Sequence, residues 1–515
     1  MNQNNQLSER DVRIQKTKTM SKMVVPYAQS FEKTHLISQV ISEFDKKHRD
    51  INDIIPNPNI QIKTAGRVML HRSHKLAFLR LLDSTQIQLM FHRDNCKIDV
   101  SISDDQPKLL ETLDTEGEEM SAYKFMEKMI DVDFIVRGEV FTTHKELTIF
   151  VSEFKFLAKA IRPLPEKFHG LTDQEELYRK RYLDMIMNPE SYERFLFKSK
   201  FYHTLREFYY KEFTEIQTSI LCNAASGAAA KPFITHHNDF DTEFYLRIAF
   251  ETALKKATVR FEKVFEIQDF RNESDPSHLQ EFTQVEHYAA YRNYEDNMKF
   301  TEKMFDYIFD NMLNRVIPVK DKDNIKEVDF TTPWERIDYT KGILEASIDI
   351  TQYQGDADKL RADIKAKGIE FERMDTMGTT TLIDYLYKKV LRPKILPAFI
   401  YNYPVIMQPL ARISDKDKIV EQFQLLVNGR EICKAYSELV DPVLQQANFD
   451  AQKEAAAQDE EATAEDKDFV TAMEYMPPQS FGMLERILAI LTQQDNLRDV
   501  VMFPIMKPET DEELK

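Results

Sequence analysis

Phe265-Glu266-Ile267-Gln268-Asp269-Phe270-Arg271-Asn272-Glu273, followed by His278, Glu281-Phe282-Thr283 and Glu286-His287-Tyr288, is the stretch whose reading decides the fold. It describes a strand ending in Arg-Asn-Glu, a loop, and a returning strand with polar residues at alternate positions. Such an antiparallel hairpin is expected to face Arg271, Glu273, Glu286 and Tyr288 toward one cleft. An arginine there can hold a phosphate and a carboxylate together through its planar fork of donors. Taken alone, an ordinary surface hairpin with charged rungs is the simpler reading.

Two later segments extend the pattern. Glu431-Ile432-Cys433-Lys434-Ala435-Tyr436-Ser437-Glu438-Leu439 is strand-like, with Glu431, Tyr436 and Glu438 among apolar neighbours. Gly482-Met483-Leu484-Glu485-Arg486 opens an apolar helix from Ile487 to Leu491. Upstream, long amphipathic helices (Glu175 to Met187, Tyr192 to Glu212) mix with strands at Phe244 to Ala249 and Lys263 to Ile267. No repeated βαβ unit and no Gly-rich phosphate loop occurs, so this is a large α+β domain. Ala451 to Lys467, rich in Ala, Glu and Asp, reads as a solvated helical insertion.

Before the Pro163 and Pro165 linker the periodicity changes. Runs at Ile62 to Leu70, Leu76 to Leu82, Ile87 to Phe91, Phe134 to Val140 and Leu147 to Val151 predict five short strands closing into a small barrel. Residues 1 to about 30 are polar and weakly periodic, which predicts a mobile or phosphate-touching basic arm, with a helix from His35 to Lys47. The organisation is therefore an arm and helix over 1–55, a barrel over 56–160, a linker over 161–176 and the α+β domain over 177–515.

Composition narrows the class. A net charge of -17 argues against a protein that coats DNA or RNA indiscriminately, while leaving room for a local basic patch. No run approaches the ~18 apolar residues of a membrane span, and the amino terminus lacks a secretory core. Cys96, Cys222 and Cys433 are too scattered for a disulfide framework. A cytoplasmic protein without membrane contact is the expectation. The 11 glycines stand out, because average usage of about 7% would give roughly 36.

The hairpin and the two late segments together resemble the class II aminoacyl-tRNA synthetases, and the order of parts is similar to the lysyl-tRNA synthetase family. Further phrases carry the resemblance: Arg162-Pro163-Leu164-Pro165-Glu166-Lys167, Tyr178-Arg179-Lys180-Arg181-Tyr182-Leu183-Asp184, Lys231-Pro232-Phe233-Ile234-Thr235-His236-His237-Asn238 and Tyr245-Leu246-Arg247-Ile248-Ala249. It spans about 450 residues.

The resemblance implies an antiparallel class II catalytic sheet behind an amino-terminal OB fold. It implies a homodimer that activates L-lysine with ATP and Mg²⁺ and charges tRNA(Lys). Arg271 matches the arginine that bridges the α-phosphate and the lysine carboxylate, and Arg486 the one at the γ-phosphate. Glu273, His278 and Phe282 match further ATP contacts, Phe282 stacking on adenine, and Glu431 matches a magnesium carboxylate. Glu251 matches the acid for the α-amino group, while Glu286, Tyr288, Tyr436 and Glu438 match the enclosure of the side-chain ammonium. On the barrel, Arg67, Arg72, Lys75, Arg80 and Arg93, interleaved with Phe78, Phe91 and His92, supply phosphate contacts and stacking faces for unpaired bases. From spacing alone these residues serve equally as barrel surface and core.

The chain departs from the family at several points. Lys434 stands for an expected Asn, Gln424 for a second metal-binding Glu, and Ser219 for the motif 1 proline. Single residues are missing where the family uses glycine: on both sides of Gly482 and between Tyr475 and Met476, Glu273 and Ser274, His74 and Lys75, and Thr85 and Gln86. One account is a gene in which a recoded UGA specifies glycine and was dropped from the written chain. The other is a degenerate, non-catalytic paralogue that binds tRNA or a protein.

Overall fold

The computed structural model describes residues 8–28, 31–48, 61–73, 76–101, 107–115, 117–130, 132–143, 146–165, 172–222, 233–269, 279–321, 324–345, 348–353, 355–392, 397–405, 411–415, 419–456, 467–484 and 486–507. The chain forms two compact units, Met1–Phe168 and His169–Lys515.

In the first unit, β1 (Gln61–Ser73), β2 (Leu76–Leu82), β3 (Gln86–His92), β4 (Lys97–Asp99), β5 (Leu109–Leu110), β6 (Val132–Thr143) and β7 (Glu146–Lys159) make one sheet in the order β3-β2-β1-β6-β7-β4-β5. Parallel pairing of β3 with β7, from Gln88↔Thr148 to Phe91↔Val151, closes the five long strands into the expected barrel. Period-2 alternation sets its inside: Ala77, Leu79 and Leu81 of β2 are buried, and Phe78 and Arg80 lie between them on the other face.

The amino-terminal arm differs from the expectation. Residues 9–20 form helix α1 (Glu9–Met20), capped by the Ser8 hydroxyl, which accepts from the Asp11 amide. Met20 and Val24 join the barrel core together with Ile37, Val40 and Phe44 around helix α2 (Ile37–His48). Two apolar anchors in an otherwise polar run left too little periodicity to read. Arg13 pairs with Glu9 at 2.7 Å and donates to the Arg162 carbonyl, so in this structure it makes protein contacts. Helix α3 (Ala122–Met129), absent from the sequence expectation, buries Tyr123, Phe125, Met126 and Met129 in the same core.

In the second unit the predicted helix from Glu175 is broken at Lys180 into α4 (Gln174–Arg179) and α5 (Arg181–Met187). The break turns Arg181 inward, where it pairs with Asp184 at 2.8 Å and donates to the Arg498 carbonyl at 3.0 Å. Asp184 also accepts from Asn188 and Ser191, so this buried ion pair has its remaining acceptor sites filled.

The catalytic candidates sit on a second sheet. Its strands are β8 (Thr214–Glu215), β9 (Lys263–Asp269), β10 (Thr283–Ala290), β11 (Glu335–Asp338), β12 (Ala398–Pro404), β13 (Ile419–Val427), β14 (Arg430–Ser437) and β15 (Gln479–Leu484). They run in the order β8-β9-β10-β15-β14-β13-β12-β11. Only the terminal pairs β8–β9 and β11–β12 are parallel. A two-residue turn, Asn428-Gly429, with φ 49° and 73°, joins β13 to β14 and fixes their register.

One face of this sheet is packed. The cross-strand row Phe265, His287, Gly482, Ala435 and Phe423 lies beneath helices α6 (Pro189–Tyr209) and α8 (Tyr294–Met312). Buried Met298, Thr301, Phe305, Ile308 and Phe309 give α8 its apolar stripe, and the Asn293/Asp296 capping box fixes its start. Helices Pro442–Ala456 and Lys467–Met473 flank the region expected as a solvated insertion; 457–466 lie outside the described residues.

Candidate active site

Because side chains alternate along a strand, the residues flanking that packed row share the opposite face. Two rows result: Glu266, Glu286, Met483, Lys434 and Gln424; and Val264, Tyr288, Phe481, Tyr436 and Gln422. The fold thus brings together Glu286 and Tyr288 from β10 with Tyr436 from β14. Phe481 lies between the phenols, 5.3 Å from Tyr288 and 4.7 Å from Tyr436 by ring centroids. Glu438 follows β14 directly, its amide donating to the Gln479 carbonyl at 2.9 Å.

Helix α7 (Glu251–Ala257) completes the cluster. Glu251 begins it, and Lys255 one turn later places its ammonium 2.6 Å from Glu251 Oε1 and 2.5 Å from Glu438 Oε2. Burial pushes the Lys255 ammonium down, but the two carboxylates outweigh it and hold it above its ordinary range. Burial, then the carboxylates of Glu286, Glu251 and Glu438, raise the Tyr288 phenol well above the ordinary range. Tyr436 is raised the same way, by burial and then by Glu251, Glu438 and Glu286. Both phenols therefore remain protonated donors.

Several polar atoms here are buried without a hydrogen-bond partner: Glu438 Oε1, Tyr288 Oη, both amide atoms of Gln422 and Gln479 Oε1. Buried polar groups are ordinarily paired, and each orphan costs ~1–3 kcal/mol. An acceptor carboxylate beside a phenol, both desolvated, matches the needs of an organic ammonium.

Supporting residues hold the edge of the cluster. Glu266 accepts from the Thr218 amide at 3.1 Å and hydroxyl at 2.7 Å and pairs with Arg247 at 3.1 Å. Gln284 donates to Glu286 Oε1 at 2.5 Å. Behind the sheet, His287 contacts Tyr209 Oη at 3.0 Å and Asn297 Oδ1 at 3.3 Å. Burial lowers its pKa to about 4, so the imidazole is neutral. A β-carbon on Gly482 would overlap the His287 ring, which explains the glycine at that position.

Phe282 and Arg486 line one cavity with Lys198, Tyr202, Thr283 and Leu484. Arg486 sits at φ 58°, a left-handed conformation that residues with a β-carbon rarely adopt. Arg271, Glu273 and His278 lie outside the described residues. Glu431 accepts from Gln424 at 2.8 Å, and Gln424 accepts from Tyr403 at 2.7 Å. Among the described residues no group of three His, Cys, Asp or Glu side chains is placed to hold a metal. The donors present, one carboxylate and one amide, fit Mg²⁺ only in its usual mode, in which substrate phosphates and water supply most ligands.

On the barrel, Arg72 and Phe78 are opposite one another in register and line a groove with Leu70, Arg80, Gln88 and Glu146. Arg80 pairs with Glu146. Arg67 and Arg93 do not line this groove, and Lys75 lies outside the described residues. Phe91 is no stacking face: it is fully buried and packs edge-on against Phe154 at 5.6 Å. Period-2 alternation places it inside with Ile87 and Leu89.

Sequence reasoning missed Lys255 and Arg247 as members of this cluster. The i,i+4 spacing of Glu251 and Lys255 was the available signal, but the partner Glu438 is far away in sequence.

The family model for tRNA synthetases class II (D, K and N) matches residues 173–507. The chain is 38% identical over 512 residues to a lysine–tRNA ligase of Carboxydothermus hydrogenoformans, covering 96% of this chain and 97% of the relative. It is 37% identical over 519 residues to that of Thermosipho africanus, covering 98% and 97%. It is 36% identical over 521 residues to that of Prochlorococcus marinus, covering 97% and 96%.

Proposed function

Because the chain belongs to the class II tRNA synthetases (D, K and N), we propose that it activates L-lysine with ATP and transfers the lysyl group to the 3′ end of tRNA(Lys). The observation that carries lysine as the substrate is the buried pair of orphaned atoms, Glu438 Oε1 and Tyr288 Oη, in a pocket with Glu251 and Glu286. An uncharged side chain would leave Glu438 Oε1 and Tyr288 Oη without a partner, so the site favours a cation.

The chemistry needs no general base. The lysine carboxylate is a nucleophile at neutral pH; its oxygen forms a bond to the α-phosphorus, and the bond to pyrophosphate breaks. A 3′-terminal hydroxyl of tRNA then attacks the lysyl carbonyl, and AMP leaves. Glu251 receives the α-ammonium, while Glu286, Tyr288, Tyr436 and Glu438 enclose the side-chain ammonium. Arg271 bridges the α-phosphate and the carboxylate, with Glu273 and His278 as further ATP contacts. Phe282 stacks on adenine, and Arg486 meets the γ-phosphate from their shared cavity. Opposed cations at the two ends of the triphosphate neutralise it and hold the α-phosphate for in-line attack. Glu431 would hold Mg²⁺, which when bound supplies further neutralisation of the phosphates.

Arg72 and Phe78 supply a phosphate contact and a stacking face for an unpaired base on the OB-type barrel, with Arg67, Lys75 and Arg93 as further cations. The protein acts in the cytoplasm as a homodimer. Exposed Ile220, Leu221, Phe233 and Ile234, brought together by the pairing of 221–222 and 234–237 with 242–246, support a subunit interface beside Ser219. The deciding experiment is lysine-dependent exchange of pyrophosphate into ATP. Exchange with lysine, and not with aspartate or asparagine, supports the reading. Its absence, also from a chain with glycine restored at the gaps, overturns it in favour of a non-catalytic binding role.

A further inference from the structure

Lys255 is the unassigned charge in this pocket. Its side chain is 5% exposed, and its one ammonium contacts carboxylates from two separate elements, the first residue of α7 and the residue that follows β14. Glu438 is thereby divided: Oε2 is held by Lys255, whereas Oε1 is buried and has no hydrogen-bond partner. Phe469, with its ring centroid 5.5 Å from the Lys255 nitrogen, closes another side of the cation.

We propose that Lys255 is a positioning residue that fixes the spacing between the two carboxylates receiving the two ends of the amino-acid substrate, and so sets the side-chain length the pocket accepts. This deepens the lysine-activating reading and rests on it. Glu251 is assigned to the α-ammonium and Glu438 to the side-chain ammonium. Holding both to one Nζ ties the two recognition points together within the span of a single ion. Neither carboxylate then moves toward a substrate that is one methylene too short without breaking an ion pair.

Charge balance points the same way. Burial pushes the Glu438 carboxyl up to about 8, and the Lys255 ammonium bound to it is the group that pulls it back toward the charged form. Without Lys255 the desolvated carboxylates would repel one another and draw in a proton or an added cation.

The test is pyrophosphate exchange with lysine and with ornithine, which is one methylene shorter, using the full-length protein and the variants Lys255→Arg and Lys255→Met. Lys255→Arg keeps the cation, so the test does not depend on Lys255→Met folding; circular dichroism identifies which variants fold. The expected result for Lys255→Arg is a KM for lysine raised at least tenfold, a lysine-to-ornithine ratio of kcat/KM reduced at least tenfold, and a KM for ATP within twofold of the parent. A folded Lys255→Arg variant with lysine KM and ratio within twofold of the parent overturns the proposal. So does an equal loss of kcat with both amino acids at unchanged ratio, which marks a merely structural role. A parent protein with no lysine-dependent exchange removes the functional reading itself, a failure distinct from that of Lys255.

Discussion

At the residue scale the site is defined by which group pairs with each buried charge. Glu438 divides its carboxylate between Lys255 and an orphaned position, so on the proposed function Glu438→Gln removes the carboxylate offered to the substrate ammonium. Its expected cost is about 3 kcal/mol, roughly a hundredfold in the KM for lysine, with the KM for ATP unchanged in exchange assays. Tyr288→Phe removes only a neutral hydroxyl facing the same ammonium and should cost about tenfold. His287 gives a pH prediction with a definite sign. Its folded pKa of about 4 lies below the ordinary 6.5, so the unfolded chain binds the proton more tightly. The stability this neutral ring supports is fully present above pH 6.5 and is lost as pH falls toward 4, by up to about 3 kcal/mol. Urea midpoints measured from pH 7 to 4 should fall accordingly, and His287→Gln should flatten that part of the slope.

At the element scale, strand β15 runs between β10 and β14 and places Gly482 against His287. Gly482→Ala forces a β-carbon into that ring, an overpacking cost of ~1–3 kcal/mol or more, visible as a lower unfolding temperature. The hairpin β9–β10 was legible because its period of two switches cleanly between Phe265 and His287 on one side and Glu286 and Tyr288 on the other. The barrel strands were legible for the same reason. Helix α1 was not, since its apolar residues Val12, Ile14 and Met20 make no continuous stripe, and Met20, the one that is buried, finds its partners in the barrel. Lys180 breaks a helix that periodicity reads as continuous, because the buried Arg181–Asp184 pair outweighs local propensity. The family resemblance named Glu251, Glu286, Tyr288, Tyr436 and Glu438 one by one, and the fold brings these five together. The bond between Lys255 and Glu438 was not, because a contact across so many residues leaves no local pattern.

At the scale of the whole molecule, the shortage of glycine now has structural consequences. Where glycine is kept, it serves turns such as Asn428-Gly429 and close approaches such as Gly482. Two residues after β15, Arg486 adopts the left-handed conformation that glycine takes most readily. A left-handed residue with a β-carbon costs about 1–2 kcal/mol. Here that cost is imposed on the side chain assigned to the γ-phosphate. The pairing of β15 on both sides is continuous, so strain concentrates at its exit rather than spreading through the sheet. Inserting glycine between Met483 and Leu484 should release Arg486 from that conformation. The expected outcome, measured by pyrophosphate exchange and thermal unfolding, is a higher kcat and a higher unfolding temperature. If the insertion lowers both, the written chain is the working one, and its glycine-poor path into the ATP site is what the fold has adapted to.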